Sequence, residues 1–159
     1  MVIKMTTYTL KGIKVATYLS TDSDAFVANL YADKKLITMV ENDGRGGCHM
    51  YRTKPECRED VKAFMAWCET LPPDKFESNG KEYEIAMCDD LWVSQQVAQH
   101  LEDKDFKAKC KKSTLIRLTT DNEGEYQIYK NVAYTPAIAD QLRKKHADTL
   151  IEIVNERYI

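Results

Sequence analysis

The sequence predicts an α+β protein, with an N-terminal antiparallel β-meander packed with about three helices and a second β-hairpin. Two observations carry this. Apolar and polar residues alternate with period two up to about residue 50, and apolar spacing of three and four residues takes over after Pro55. A third concerns organisation. The chain has no internal repeat, no Ser/Gly linker and no long charge block, so one domain over residues 1–159 is the simplest expectation.

The elements follow in order. Tyr8, Leu10, Ile13, Val15 and Tyr18 lie in a polar-interleaved run, with Gly12 marking a bend or bulge. Ser20 to Asp24 reads as a turn. In the next strand, Phe26, Ala28 and Leu30 share one face and Val27, Asn29 and Tyr31 the other. Asp33-Lys34-Lys35 connects it to a third strand, Leu36 to Val40. Pro55 with Glu56, Glu59 and Asp60 opens a helix carrying Val61, Phe64, Met65, Cys68 and Leu71, and Pro72-Pro73 stops it. Asn79-Gly80 sits between two alternating stretches and suggests a small hairpin. Asp89-Asp90 starts a second helix, with Phe106 near its end. The second hairpin runs from Thr114 to Thr119, turns at Asp121 to Gly124, and returns over Tyr126 to Tyr129. Thr135-Pro136 has the chemistry of a helix start. Ile138, Leu142, Leu150, Ile153 and Val154 are expected to form the stripe of one last helix reaching almost to residue 159.

Composition narrows the function classes. Hydrophobic residues make up 43% and charged residues 30% of 159, which fits a chain with one packed core and not a disordered one. No apolar run approaches the roughly 20 residues of a membrane span, and no signal peptide is legible at the start, so no membrane partner and a cytoplasmic location are expected. Lys and Arg number 23 against 25 Asp and Glu, for a net charge of −2. That balance argues against a duplex nucleic acid partner, whose binding draws on an excess of cations. Self-association is left open.

The five cysteines (Cys48, Cys57, Cys68, Cys88 and Cys110) are irregularly spaced and include no C-x-x-C pair. They are expected to stay reduced and bind no zinc. Acidic residues at Asp89, Asp90, Glu102, Asp103 and Asp105 read as helix-end charges and not as metal ligands. Cys48 and His49 are sequence neighbours that point to opposite faces, which disfavours a nucleophile–base pair. No cofactor, metal or catalytic residue is assigned.

One segment looks specialised. Between Glu41 and Arg52, Gly44, Gly46 and Gly47 place half of the six glycines within four positions. Such a loop can turn successive N–H groups toward an anion, and Gly46 and Gly47 are expected to need positive φ. Arg45, Arg52 and Lys54 add donors, while His49 and Tyr51 could stack on a base. The helix that follows would aim its N-terminus at the same anion. With Asn42, Asp43 and Gly44, these residues form the candidate ligand site. Lys112 joins it from the lysine-rich stretch Lys104 to Lys112. A tight structural turn is the competing reading, since the pattern lacks the Gly-Lys-Ser/Thr of a P-loop.

Phe26, Ala28, Leu30, Tyr31, Lys34, Lys35 and the run Asn42-Asp43-Gly44-x-Gly46-Gly47 resemble a group of small uncharacterised bacteriophage and mobile-element proteins. Cys110 to Leu118 and Ile153 to Glu156 are similar to the same group. The resemblance implies a phage or plasmid accessory protein acting in the host cytoplasm, and it supplies no catalytic residue. Two functions are expected from it. One is non-catalytic sequestration of a nucleotide-like or phosphorylated host defence signal. The other is direct inhibition of a host protein. An enzyme such as a phosphodiesterase is a third reading, without the carboxylate or histidine pairs it needs.

Overall fold

The computed structural model describes residues 4–159 and divides into two compact units, the first ending at Ala98 and the second spanning Gln99–Ile159. The first holds β1 (Tyr8–Val15), β2 (Ala25–Ala32), β3 (Lys35–Asp43) and β4 (Met50–Arg52), an antiparallel sheet in the order β1-β2-β3-β4. The expected meander is therefore present, extended by a fourth strand. A bulge interrupts the β1–β2 register between Lys11 and Lys14, around Gly12. A second irregularity lies where β2 meets β3. Ile37 and Thr38 are consecutive in β3 and yet both buried, whereas strict alternation would bury only one.

Helix α1 (Arg58–Glu69) follows a 3-10 turn at Pro55–Cys57, then comes the hairpin β5 (Asp74–Ser78) and β6 (Lys81–Ile85) about Asn79-Gly80. Helix α2 spans Asp89–Cys110, and the boundary between the units falls within it. In the first unit the predicted sheet face is the buried one: Phe26, Ala28 and Leu30 are all under 5% exposed. Tyr8 meets Phe64 and Trp67 of α1 at ring separations of 5.2 and 4.9 Å, and Phe64 meets Trp92 of α2 at 5.3 Å. Each fully buried large side chain of this kind contributes about 1.5–3 kcal/mol.

The second unit contains β7 (Thr114–Leu118), β8 (Gln127–Tyr129), α3 (Pro136–Lys145) and β9 (Leu150–Ile153), with strand order β8-β7-β9. The central strand β7 is apolar on both faces because both are covered. Ile116 and Leu118 pack with Ala139 and Leu142 of α3, while Leu115 packs with Phe106 of α2. Thr135 caps α3, its hydroxyl accepting from the Ile138 N–H at 3.2 Å.

The expected long last helix is incorrect. It stops at Lys145, and residues 150–153 pair with β7 as a strand. Ile138 and Leu142 do share a helical face, but Leu150 to Ile153 run as a strand with a register irregularity at Ile151, which is 62% exposed while Ile153 is 3% exposed. The open edge of β7 offers those residues backbone partners and a buried face, which outweighs continuing the helical spacing.

Candidate functional site

The glycine loop is the six-residue connection from β3 to β4, and Asn42 organises it from the end of β3. Its side chain is buried at 6% exposure and makes four hydrogen bonds. The carbonyl oxygen accepts from the Gly44 N–H at 2.8 Å and the Ser23 hydroxyl at 3.2 Å. The amide nitrogen donates to the Gly47 carbonyl at 2.9 Å and to His49 Nδ1 at 3.0 Å. The Gly44 carbonyl in turn accepts from the Thr21, Asp22 and Ser23 N–H groups and from the Thr21 hydroxyl at 2.8 Å. Gly44 has φ +80°, and a Cβ there would sit 2.7 Å from the Leu19 carbonyl oxygen.

The loop N–H groups are thus largely used within the protein. Gly44 donates to Asn42, Arg45 to the Asp43 carboxylate at 3.1 Å, Gly46 to the Ser23 hydroxyl at 3.1 Å, and His49 to Asp90 at 2.9 Å. Among the described residues, Gly47 and Cys48 are the loop positions whose N–H has no protein acceptor. The helix that reaches the loop is α2 and not α1. Its first turn carries Asp89 and Asp90, so carboxylates already sit at its positive end. The expectation about glycine backbone is half right: Gly46 has φ +82°, but Gly47 has ordinary φ and open space around its Cβ position.

His49 Nε2 lies 2.8 Å from the Ser94 hydroxyl, which with Asn42 on the other ring nitrogen resembles a hydrolase triad. The proton inventory argues against that chemistry. The Gly44 N–H fixes the Asn42 oxygen and the Gly47 carbonyl fixes its nitrogen, so His49 Nδ1 faces a donor and must accept. The ring proton then resides on Nε2 and points at Ser94. A general base needs the reverse arrangement, with Nε2 free to take the serine proton. The Ser94–His49–Asn42 chain is a structural lock.

The other predicted residues divide. Tyr51 is half-buried and its hydroxyl donates to Asp89 at 2.7 Å, which ties it to the first turn of α2. Burial, then the Asp89 bond, push its hydroxyl well above the ordinary 10.0. Nearby, burial followed by the Asp89 and Cys88 charges push the Cys68 thiol up to about 12. Arg52 lies on the opposite side of the sheet, paired with Glu41 at 2.8 Å. Arg45 and Lys54 are exposed. Arg52 and Lys54 come together at a pocket of about 180 Å³, shared with Leu36, Met39 and Asn29. Lys112 lies in the turn between α2 and β7, in the second unit.

The sequence reading missed a cleft of about 600 Å³ in that second unit. It is lined by Lys107, Lys111, Arg157, Tyr134, Tyr158 and Cys110, among others. Arg157 is held by Glu152 at 2.9 Å, and the Tyr134 hydroxyl donates to Glu156 at 3.0 Å. The Lys107 ammonium lies 5.6 Å from the Tyr158 ring centre, within cation–π range. Neither Lys107 nor Lys111 has a carboxylate partner among the described residues. Asn155, 4% exposed, forms the floor. Its oxygen accepts from the Leu115 N–H at 2.9 Å and its nitrogen donates to the Ser113 carbonyl at 2.8 Å. One signal was available in the sequence: Lys104, Lys107 and Lys111 recur at helical spacing.

Comparison with known proteins adds nothing further: no family model, curated protein or solved structure matches the chain. No group of three or more metal-ligating side chains is clustered among the described residues, and no helix there is long and apolar enough to cross a membrane.

Proposed function

We propose that the protein binds an anionic, nucleotide-like ligand without transforming it, and that the ligand occupies the second-unit cleft. The observation that carries this is the lining. Unpaired Lys107 and Lys111 stand beside Arg157, with Tyr134 and Tyr158 supplying aromatic surface, in a concavity of about 600 Å³. That combination suits phosphates together with a planar base. The inverted polarity of Ser94–His49–Asn42 supports binding over catalysis. The resemblance to phage and mobile-element proteins supports a sequestering role, with a phosphorylated host defence signal as the ligand.

Calorimetric titration with ATP, GTP and inorganic pyrophosphate tests this reading. The nucleotides are expected to bind more tightly than pyrophosphate and to weaken as salt rises. Lys107→Ala with Lys111→Ala should cost ten- to hundredfold in affinity, since a charge-assisted hydrogen bond is worth about 1.5–3 kcal/mol. Arg45→Ala should leave affinity unchanged. Loss of affinity with Arg45→Ala and not with the lysine pair would return the site to the glycine loop. Absence of binding for all three probes would overturn the reading.

A further inference from the structure

A different surface, independent of the cleft, carries a second proposal. The inner face of the four-stranded sheet is buried, and its outer face is open. Strand register aligns Lys11, Asn29, Met39 and Arg52 in one row and Lys14, Val27, Glu41 and Met50 in the next. Val27, Met39 and Met50 are 40%, 42% and 54% exposed, and Leu36 at the end of the face is 49% exposed. The charges on this face are not mixed evenly. Glu41 is the one carboxylate in those rows, and Arg52 already neutralises it. Lys11 and Lys14, with Lys54 at the rim, have no carboxylate partner among the described residues. The face is therefore cationic on a chain whose net charge is −2.

Beside these rows lies the pocket of about 180 Å³, lined by the apolar Leu36 and Met39 together with Arg52 and Lys54. Its size suits a single large apolar side chain. Methionine-bearing surfaces adapt to such anchors because the thioether chain is flexible and polarizable. We propose that this face docks an acidic protein segment, which seats one apolar side chain in the pocket and sets its carboxylates against Lys14, Lys54 and Lys11. Charge complementarity selects this occupant. A single-stranded nucleic acid would gain from a row of aromatic rings, and Tyr31 is the aromatic that the face presents, with Lys11 lying 5.3 Å from its ring centre.

The test uses the whole chain and labelled synthetic peptides read by fluorescence anisotropy. One peptide alternates Asp or Glu with Leu and Phe. A second replaces the acids by Lys, a third replaces the apolar residues by Ser, and a uridine oligomer serves as the nucleic acid arm. The acidic apolar peptide should bind at least tenfold tighter than each of the other probes. Lys14→Glu with Lys54→Glu should remove that preference while the melting temperature stays the same, because both side chains are exposed. In methyl NMR spectra the Met39 and Met50 signals should move on binding, and those of Met65 and Met87 should not. Equal binding of the two acidic peptides would reduce the face to a charge effect and overturn the anchored dock. Tightest binding by the uridine oligomer, or unmoved Met39 and Met50 signals, would overturn it as well.

Discussion

Asn42 and Asn155 are each more than nine-tenths buried, and each ties backbone segments together within its own unit. They leave different surfaces behind. Around Asn42 the polar groups turn inward, so that the glycine loop spends most of its N–H groups on Ser23, Asp43, Asp90 and Asn42 itself. Around Asn155 the bonds tie the last turn of the chain to Ser113 and to Leu115 of β7, and the neighbouring lysines remain unpaired above the cleft. A glycine-rich loop signals a demanding backbone. Whether it also signals a ligand depends on where its donors point once the rest of the unit has folded around it.

The largest expected effect separates two glycines in one loop. Gly44→Ala combines a left-handed φ with a Cβ 2.7 Å from a backbone oxygen, and should destabilise the protein by about 3 kcal/mol. Gly47→Ala meets neither obstacle and should fall within about 0.5 kcal/mol of the parent. Urea unfolding of the two variants checks the difference, and equal costs would mean that the loop is not held as described.

A smaller contrast lies between the asparagines. Asn42→Ala removes four hydrogen bonds and orphans the buried Gly44 N–H, for a loss of about 2–3 kcal/mol. Asn155→Ala orphans the Leu115 N–H and the Ser113 carbonyl, for about 2 kcal/mol, and should also weaken nucleotide binding by loosening the cleft floor. Asn42→Ala should leave nucleotide binding intact. Parallel unfolding and calorimetry would show whether stability and binding separate in this way. Nucleotide affinity lost in the Asn42 variant would contradict the assignment of the cleft.

The smallest effect is an alkaline one, read at two groups of the first unit. Cys68 and Tyr51 both have raised folded values, so the folded state holds their protons more tightly than the unfolded state does. Their contribution is fully present below pH 9, the ordinary thiol value. It should decline as pH rises toward about 12 for Cys68. Base titration of the unfolding midpoint should show this downward slope, and Tyr51→Phe should flatten the part above pH 10. A midpoint rising over that range would contradict it. At pH 8.5 a thiol reagent should modify exposed Cys48 well before buried Cys68.

Local pattern was enough to fix most of the elements. The alternation of Phe26, Ala28 and Leu30 identified the buried face of β2, and Thr135-Pro136 marked the start of α3. Both are nearest-neighbour effects, in which side-chain period and cap chemistry act within a few residues. Leu150 to Ile153 were not legible in the same way. Their strand exists because the edge of β7 accepts it, and β7 lies more than thirty residues earlier in the chain. The site followed the same division. Composition revealed the glycines, the lysines and the arginines. Tertiary structure alone decided that the loop donors face Ser23 and Asp90, that Arg52 turns to Glu41, and that Lys107 and Lys111 meet Tyr134 and Arg157 around one cleft. Hydrogen bonds and ion pairs are set by direction and by distances of about 3 Å, and the chain sets those only when remote segments pack.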